Sequence, residues 1–304
     1  MQHLTRRQTA LYLAFLVTVW GANWPLSKFA LQYSPPILFA GFRTFIAAFL
    51  LIMISLPNYR KLQLRKNGIY YLIAGLLNIA LFYGLQTIGL QYLPAGIFSA
   101  IVFVQPVLLG IASWFWLGEK MNALKMTGLI LGFGGVAVIS SGGLTGGLSP
   151  EGILLALGSA VSWCLGTVFM KKTSHRVDIV WMTAMQQLIG SLVLIASGLA
   201  VEEVSAIVWN AAFISDMLFI SVFVIAIGWL VFFRLVGSGE ASKVGSFTFL
   251  IPLIALIFSA IFLKEPITLR LVAGLLLVLS SILLVNAKVR AKPAADGAAR
   301  KTAL

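Results

Sequence analysis

The sequence predicts an all-α integral membrane protein of ten transmembrane helices, arranged as two inverted five-helix repeats. Composition, an internal duplication and the placing of basic residues carry that prediction. Of the 304 residues, 60% are hydrophobic and 10% charged, where an ordinary soluble domain is roughly a quarter charged. A water-soluble fold cannot bury so much apolar surface. The apolar runs suit a bilayer instead, since a helix rising 1.5 Å per residue needs about 20 residues to cross a hydrocarbon core of roughly 30 Å.

Ten such runs cover approximately residues 9–31, 36–56, 69–90, 94–117, 124–141, 152–170, 179–201, 212–234, 241–263 and 267–285. The first follows Arg6 and Arg7 but is too long for a secretion signal, lacks a small-residue cleavage site, and carries Trp20, Asn23, Trp24, Pro25 and Lys28. It is read as a mature helix. The second run contains Arg43; the third contains Asn78, Tyr83 and Gln86; the fourth contains Gln105 and Pro106. Gly128, Gly132 and Gly135 in the fifth permit close approach of a neighbouring helix, from the same chain or from a second one. A glycine-rich link, 142–147, joins the halves. The sixth run holds Trp163 and the single cysteine, Cys164, so there is no disulfide framework. Gln186 and Gln187 lie in the seventh run, Trp229 in the eighth, Pro252 in the ninth and Gly274 in the tenth. The domain plan is therefore 9–141, 152–285 and a basic tail, 286–304, whose composition predicts disorder.

The duplication is visible without gaps. A shift of 146 lays residues 94–139 on 240–285, pairing Pro106 with Pro252, Glu119 with Glu265 and Gly128 with Gly274. A shift of 143 pairs Trp20 with Trp163 and Lys28 with Lys171. With the N-terminus inside, 18 of the 22 basic residues fall in inner segments and only Lys264 and Arg270 in outer ones; Lys28 and Arg43 stay in the membrane. The positive-inside rule then sets both termini in the cytoplasm. Glu151, Glu202, Glu203 and Asp216 are assigned to the outer side, which leaves no acid at the depth of Arg43. Five helices per half is an odd number, so the second copy enters from the opposite face. Inverted repeats of this kind build alternating-access carriers, with the solute held near the midplane between them.

The stretch Trp20-Gly21-Ala22-Asn23-Trp24-Pro25 with Lys28, then Gly41-Phe42-Arg43, Pro106, Leu117-Gly118-Glu119 and Gly128 resembles the EamA domain of the drug/metabolite transporter superfamily. Ala241, Pro252, Leu263-Lys264-Glu265 and Gly274 repeat the later part of the pattern. The resemblance covers nearly the whole chain as two tandem domains. It implies a ten-helix metabolite carrier, usually an exporter in a bacterial inner membrane, with substrates that differ among members. Gln186 stands where the second half would repeat Arg43.

Pro25, Pro106 and Pro252 each remove one helical hydrogen bond near the middle of a run and are candidate hinges, or static kinks. The first helix is expected to kink at Pro25. Tryptophan normally sits at the membrane interface, so Trp20, Trp24 and Trp163 at mid-depth read as solute lining, with plain helix packing as the alternative. Asn23, Asn78, Tyr83, Gln86, Gln186 and Trp229 are further candidates, each either ligand or helix-to-helix glue. Arg43, about two turns from its helix end, must face an interior; it is either a fork for a substrate carboxylate or a side chain snorkelling to the interface. Lys28 is expected to snorkel, and Glu119 and Glu265 to cap helix ends.

The expected partners are a small-molecule substrate and the lipid bilayer. No metal, cofactor or nucleic acid is expected, and the chain is a monomer or a homodimer. A basic balance of +13 suits nucleic acid only with a folded basic domain, which is lacking here. A membrane enzyme would need a nucleophile with its base, paired acids or metal ligands. One cysteine, His3, His175 and scattered acids supply no such set. A non-transporting scaffold is the other alternative, but it has no need of an inverted duplication.

Overall fold

The apolar runs fold into helices close to their predicted positions. The computed structural model describes residues 4–140, 149–239, 241–263 and 269–287. The glycine link, Lys264, Glu265 and the tail from Lys288 lie outside the described residues. In chain order the helices are α1 (Arg6–Ala30), α2 (Pro36–Ser55, prolonged by a tight turn Leu56–Lys61), α3 (Leu64–Tyr92) and α4, broken into Ala95–Val102 and Gln105–Leu117. They continue as α5 (Ala123–Ser140), α6 (Pro150–Thr173), α7 (Ile179–Val201), α8 (Ala211–Ser238), α9, broken into Ala241–Thr248 and Leu250–Leu263, and α10 (Leu269–Asn286). Seven of the described helices are long and apolar enough to cross a membrane, and shorter apolar helices fill the remaining runs.

Local chemistry starts these helices where the sequence allows it. Thr5 and Gln8 form a reciprocal capping box at α1. Ser149, Asp178 and Asn210 accept from first-turn N–H groups of α6, α7 and α8. The α2 start, Pro35-Pro36, has no such side chain of its own. There the Glu202 carboxylate, at the end of α7, accepts from the N–H groups of Ile37 at 2.9 Å and Leu38 at 2.8 Å. One repeat thus caps a helix of the other.

The contacts between halves obey a two-fold relation. If residue i meets the copy of j, then j meets the copy of i. On α5 and α10, a Cβ at Gly128 would lie 3.0 Å from the Ser281 carbonyl oxygen, and one at Gly135 would lie 2.8 Å from the Gly274 carbonyl oxygen. Under the 146 shift these are the same contact read from each side. The close neighbour of the α5 glycines is therefore α10 of the same chain. A similar stripe joins α2 to α7, where a Cβ on Gly41 would press on Ile195 and one on Gly198 on Leu38.

The lysines repeat this symmetry. Lys28 Nζ donates to the carbonyls of Leu90 and, at 3.5 Å, Leu93, at the end of α3. Its copy Lys171 donates to Val236 and Gly239, each at 2.6 Å, at the end of α8. Both shifts carry one set onto the other. Lys28 does not simply snorkel; it satisfies carbonyls that a helix end leaves free. Glu119 likewise accepts from the Ala241 N–H at 2.7 Å, the first residue of α9.

The prolines divide into two kinds. The α4 and α9 breaks fall just ahead of Pro106 and Pro252, where the missing N–H and the crowding ring spoil the turn before. At Pro25 the helix does not break: α1 runs as helix from Arg6 to Ala30 without interruption. One lost bond is tolerated there because the flanking turns are held by packing, Gly21 lying against Ile254 and Ala255. Pro25 itself lines a separate apolar groove of about 590 Å³ with Phe29, Phe219 and Phe258.

A feature without any proline is the wide, π-type turn in α3 at Leu76–Leu81 and in α8 at Ile220–Ile227. These also match under the 146 shift. A widened turn exposes carbonyls to other donors. Ser162 Oγ reaches the Leu77 carbonyl at 2.7 Å, and Trp20 Nε1 reaches that of Val224 at 3.0 Å.

Candidate functional site

Just beyond the two π turns, the repeat-paired aromatic residues meet. Trp20 and its copy Trp163 pack edge to face at 5.5 Å between ring centroids. Trp229 Nε1 donates to the hydroxyl of Tyr83, its counterpart under the 146 shift, at 2.6 Å. Residues that are one another's copies can touch only on the two-fold axis, so this cluster lies on the axis that relates the two halves. Phe82, Phe103 and Phe232 complete it.

Trp20, Asn23, Trp24, Phe82, Tyr83, Gln86, Phe103, Trp163, Val224 and Trp229 surround a central void. It offers about 20 Å³ to the centre of a water-sized sphere, which is room for about one water. The site is thus assembled but narrow. Any larger solute needs the walls to part.

The hydrogen-bonded polar wall beside the cavity comes from the first repeat. Arg43 is fully buried, its guanidinium carbon 4.6 Å from the Phe39 ring centroid and 4.7 Å from that of Tyr83. It does not snorkel. Its Nη1 donates to Ser27 Oγ at 2.8 Å, and Ser27 donates in turn to Asn23 Oδ1 at 3.2 Å. A longer bond of 3.5 Å runs from Arg43 Nη2 to Gln86 Oε1. Asn23, Ser27, Arg43 and Gln86 correspond to Gly166, Met170, Gln186 and Phe232 in the second repeat, so the polar wall has no copy there.

Several hydrogen-bonding atoms around this wall are buried without a partner: Arg43 Nε, Gln86 Nε2, Trp163 Nε1 and both carboxylate oxygens of Asp216. Asp216 corrects the sequence reading. It is 6% exposed within α8, not a loop acid, and follows by one turn Phe213, which packs on the Phe39 that carries Arg43. The signal was present, because Asp216 lies inside the eighth apolar run.

Of the predicted residues, the structure brings Trp20, Asn23, Trp24, Tyr83, Gln86, Trp163 and Trp229 to one cavity, with Arg43 directly behind it. Asn78 and Gln186 do not line it. They pair with each other, Asn78 Nδ2 donating to Gln186 Oε1 at 3.0 Å between α3 and α7. Pro106 and Pro252 mark breaks but do not line the cavity either. Ser27, Phe82 and Phe103 were missed, for a serine or phenylalanine in an apolar helix carries no distinguishing mark. Among the described residues, His, Cys, Asp and Glu form no group of three able to hold a metal ion.

A multi-pass helical bundle with a narrow polar-aromatic chamber on the axis of two matched halves is the build of a membrane carrier. The chain matches the model of the EamA-like transporter family twice, over residues 8–141 and 150–287, and belongs to that family. It is 64% identical to the "Uncharacterized transporter YvbV" of Bacillus subtilis (strain 168), over 97% of each chain. The "Probable amino-acid metabolite efflux pump" of Salmonella typhimurium is 27% identical over 89% of this chain and 92% of its own. A solved crystal structure superposes with a TM-score of 0.78 over 93% of this chain and 97% of its own at 18% identity, a likeness of fold alone. The protein is a transporter, and the enzyme and scaffold alternatives fall away.

Proposed function

We propose that the protein exports a small amphipathic metabolite, an amino acid or a similar solute, across a bacterial inner membrane by alternating access, with both termini cytoplasmic. The observation that carries this is the narrow chamber on the two-fold axis, bounded by the pairs Trp20 with Trp163 and Tyr83 with Trp229. Two halves of the same build can exchange shapes, so opening one side has a matched counterpart on the other. Pro106 and Pro252, at matched helix breaks, act as the flexing points. The aromatic walls take the apolar part of the solute, and Arg43 with Gln86 and Asn23 takes its polar head.

The sidedness has structural support in the grouping of loops. Lys61 pairs with Asp178 at 3.4 Å, and Trp181 Nε1 donates to the Asn58 carbonyl, so segments rich in basic residues share one end of the bundle. Glu202 with Ile37, and Val208 N–H with the Tyr33 carbonyl, tie together the opposite end. The efflux-pump relatives support export and the amino-acid class. The protein works as a monomer or as a homodimer.

Solute flux into vesicles containing purified protein tests the proposal. Leucine or another candidate metabolite should exchange faster than in empty vesicles. Arg43→Gln should slow carboxylate-bearing solutes more than neutral ones, and an equal loss for both would assign Arg43 a purely structural role.

A further inference from the structure

Asp216 is buried in α8 with no hydrogen-bond donor on either carboxylate oxygen. A carboxylate taken out of water in this way demands a partner. Asp216 lies one turn along α8 from Phe213, which packs on Phe39 at 6.1 Å, and Arg43 stacks on the same Phe39; yet Arg43 gives its hydrogen bonds to Ser27 and Gln86 and leaves Nε unused. If Asp216 served only to neutralise Arg43, the two would share hydrogen bonds, because a guanidinium and a carboxylate form a fork of matching shape. They do not.

The unpartnered atoms have a pattern. Arg43 Nε, Gln86 Nε2 and Trp163 Nε1 are donors, whereas Asp216 in its ionised form offers only acceptors. Gln86 and Trp163 line the chamber, and Arg43 lies against Tyr83 in its wall. A purely anionic solute would satisfy the donors and leave Asp216 bare. A purely cationic one would do the reverse. A head carrying both a carboxylate and an ammonium satisfies every group.

We propose that Asp216 binds the ammonium group of the transported solute while Arg43 binds its carboxylate, so that the pair selects zwitterionic metabolites and Asp216 rejects simple acids. This rests on the carrier reading given above and extends it to a residue that fixes specificity. The apolar side chain of the solute then lies on the tryptophan cluster. Because the void now holds about one water, the two charges come within reach of a solute only when the walls part.

The test uses three probes that share one carbon skeleton: leucine, 3-methylbutylamine, which lacks the carboxylate, and 4-methylpentanoate, which lacks the ammonium. Binding to the full chain in lipid nanodiscs is read from tryptophan fluorescence, since the cluster itself reports occupancy. Leucine should bind the wild type at least about tenfold more tightly than either analogue, the scale of one lost charge-assisted hydrogen bond. Asp216→Asn should erase the advantage of leucine over 4-methylpentanoate, and Asp216→Glu should restore part of it. Equal weakening of all three probes by Asp216→Asn would overturn the assignment, as would wild-type protein binding 4-methylpentanoate as well as leucine, or binding none of them. If Asp216→Asn fails to fold, the wild-type ranking of the probes still decides. Leucine flux in vesicles separates the two proposals: binding without flux counts against the carrier reading, and flux without the Asp216 effect counts against this one.

Discussion

Trp20 and Trp163 are copies of one another, yet the structure predicts that replacing each by phenylalanine will have different consequences. Both are at least nine-tenths buried in one cluster, so Trp→Phe removes a similar volume from each place. The indole N–H groups differ. That of Trp20 donates to the Val224 carbonyl at 3.0 Å inside the π turn of α8, whereas that of Trp163 has no partner. Losing the first bond strands a buried carbonyl, at a cost of about 1–3 kcal/mol, while losing the second removes an unsatisfied donor and costs nothing on that account. Trp20→Phe should therefore be less stable than Trp163→Phe by about 2 kcal/mol. At roughly 2 °C per kcal/mol for a chain of this size, the apparent melting temperatures should differ by about 4 °C. Transport should separate the pair in the opposite sense. If the free N–H of Trp163 is kept for solute, Trp163→Phe should weaken solute binding about tenfold while melting near the wild-type temperature. Thermal melts of the purified variants, with fluorescence titration of leucine, provide both readings. Trp163→Phe melting as low as Trp20→Phe would refute the reasoning, because the N–H would then have a partner in the closed state.

Three further outcomes follow from the same geometry. Lys28→Met and Lys171→Met should each destabilise by about 1–2 kcal/mol, since each lysine donates to two carbonyls at a helix end; melts unchanged from wild type would contradict it. Gly135→Val should cost at least about 1–3 kcal/mol through overpacking of α5 on α10, where a Cβ already meets the Gly274 carbonyl at 2.8 Å. Wild-type expression and melting of that variant would show that the helices can separate freely. Pro106→Ala and Pro252→Ala restore an N–H at each break and should slow flux severalfold at unchanged binding affinity. Unchanged flux in both would make the breaks static.

The candidate site was unevenly legible in the sequence. Four of the seven chosen residues that meet at one cavity were found through the repeat, and a residue equivalent to its partner under a two-fold is drawn toward the axis. Trp20 with Trp163 and Tyr83 with Trp229 are such pairs. Asn23, Trp24 and Gln86 were chosen for mid-helix position or polarity. Asn78 and Gln186 were chosen on polarity alone, which cannot separate a ligand from a pair of side chains that satisfy each other. Asp216 was misplaced because an acid near the start of an apolar run looks like a loop residue until the turns that surround it are known.

By itself the sequence determined the membrane solvent, the helical spans, the duplication and hence the two-fold plan. These depend on mean hydropathy, length and register, all properties of the chain read locally or against itself. Only the tertiary structure decided that α1 passes through Pro25 unbroken, that π turns widen α3 and α8, and that α5 finds its neighbour in the same chain. It also decided which donors and acceptors remain unspent around Arg43 and Asp216. Those outcomes depend on how each helix is rotated and on what lies across the gap, and a side chain's neighbours across a bundle are not written in its own segment.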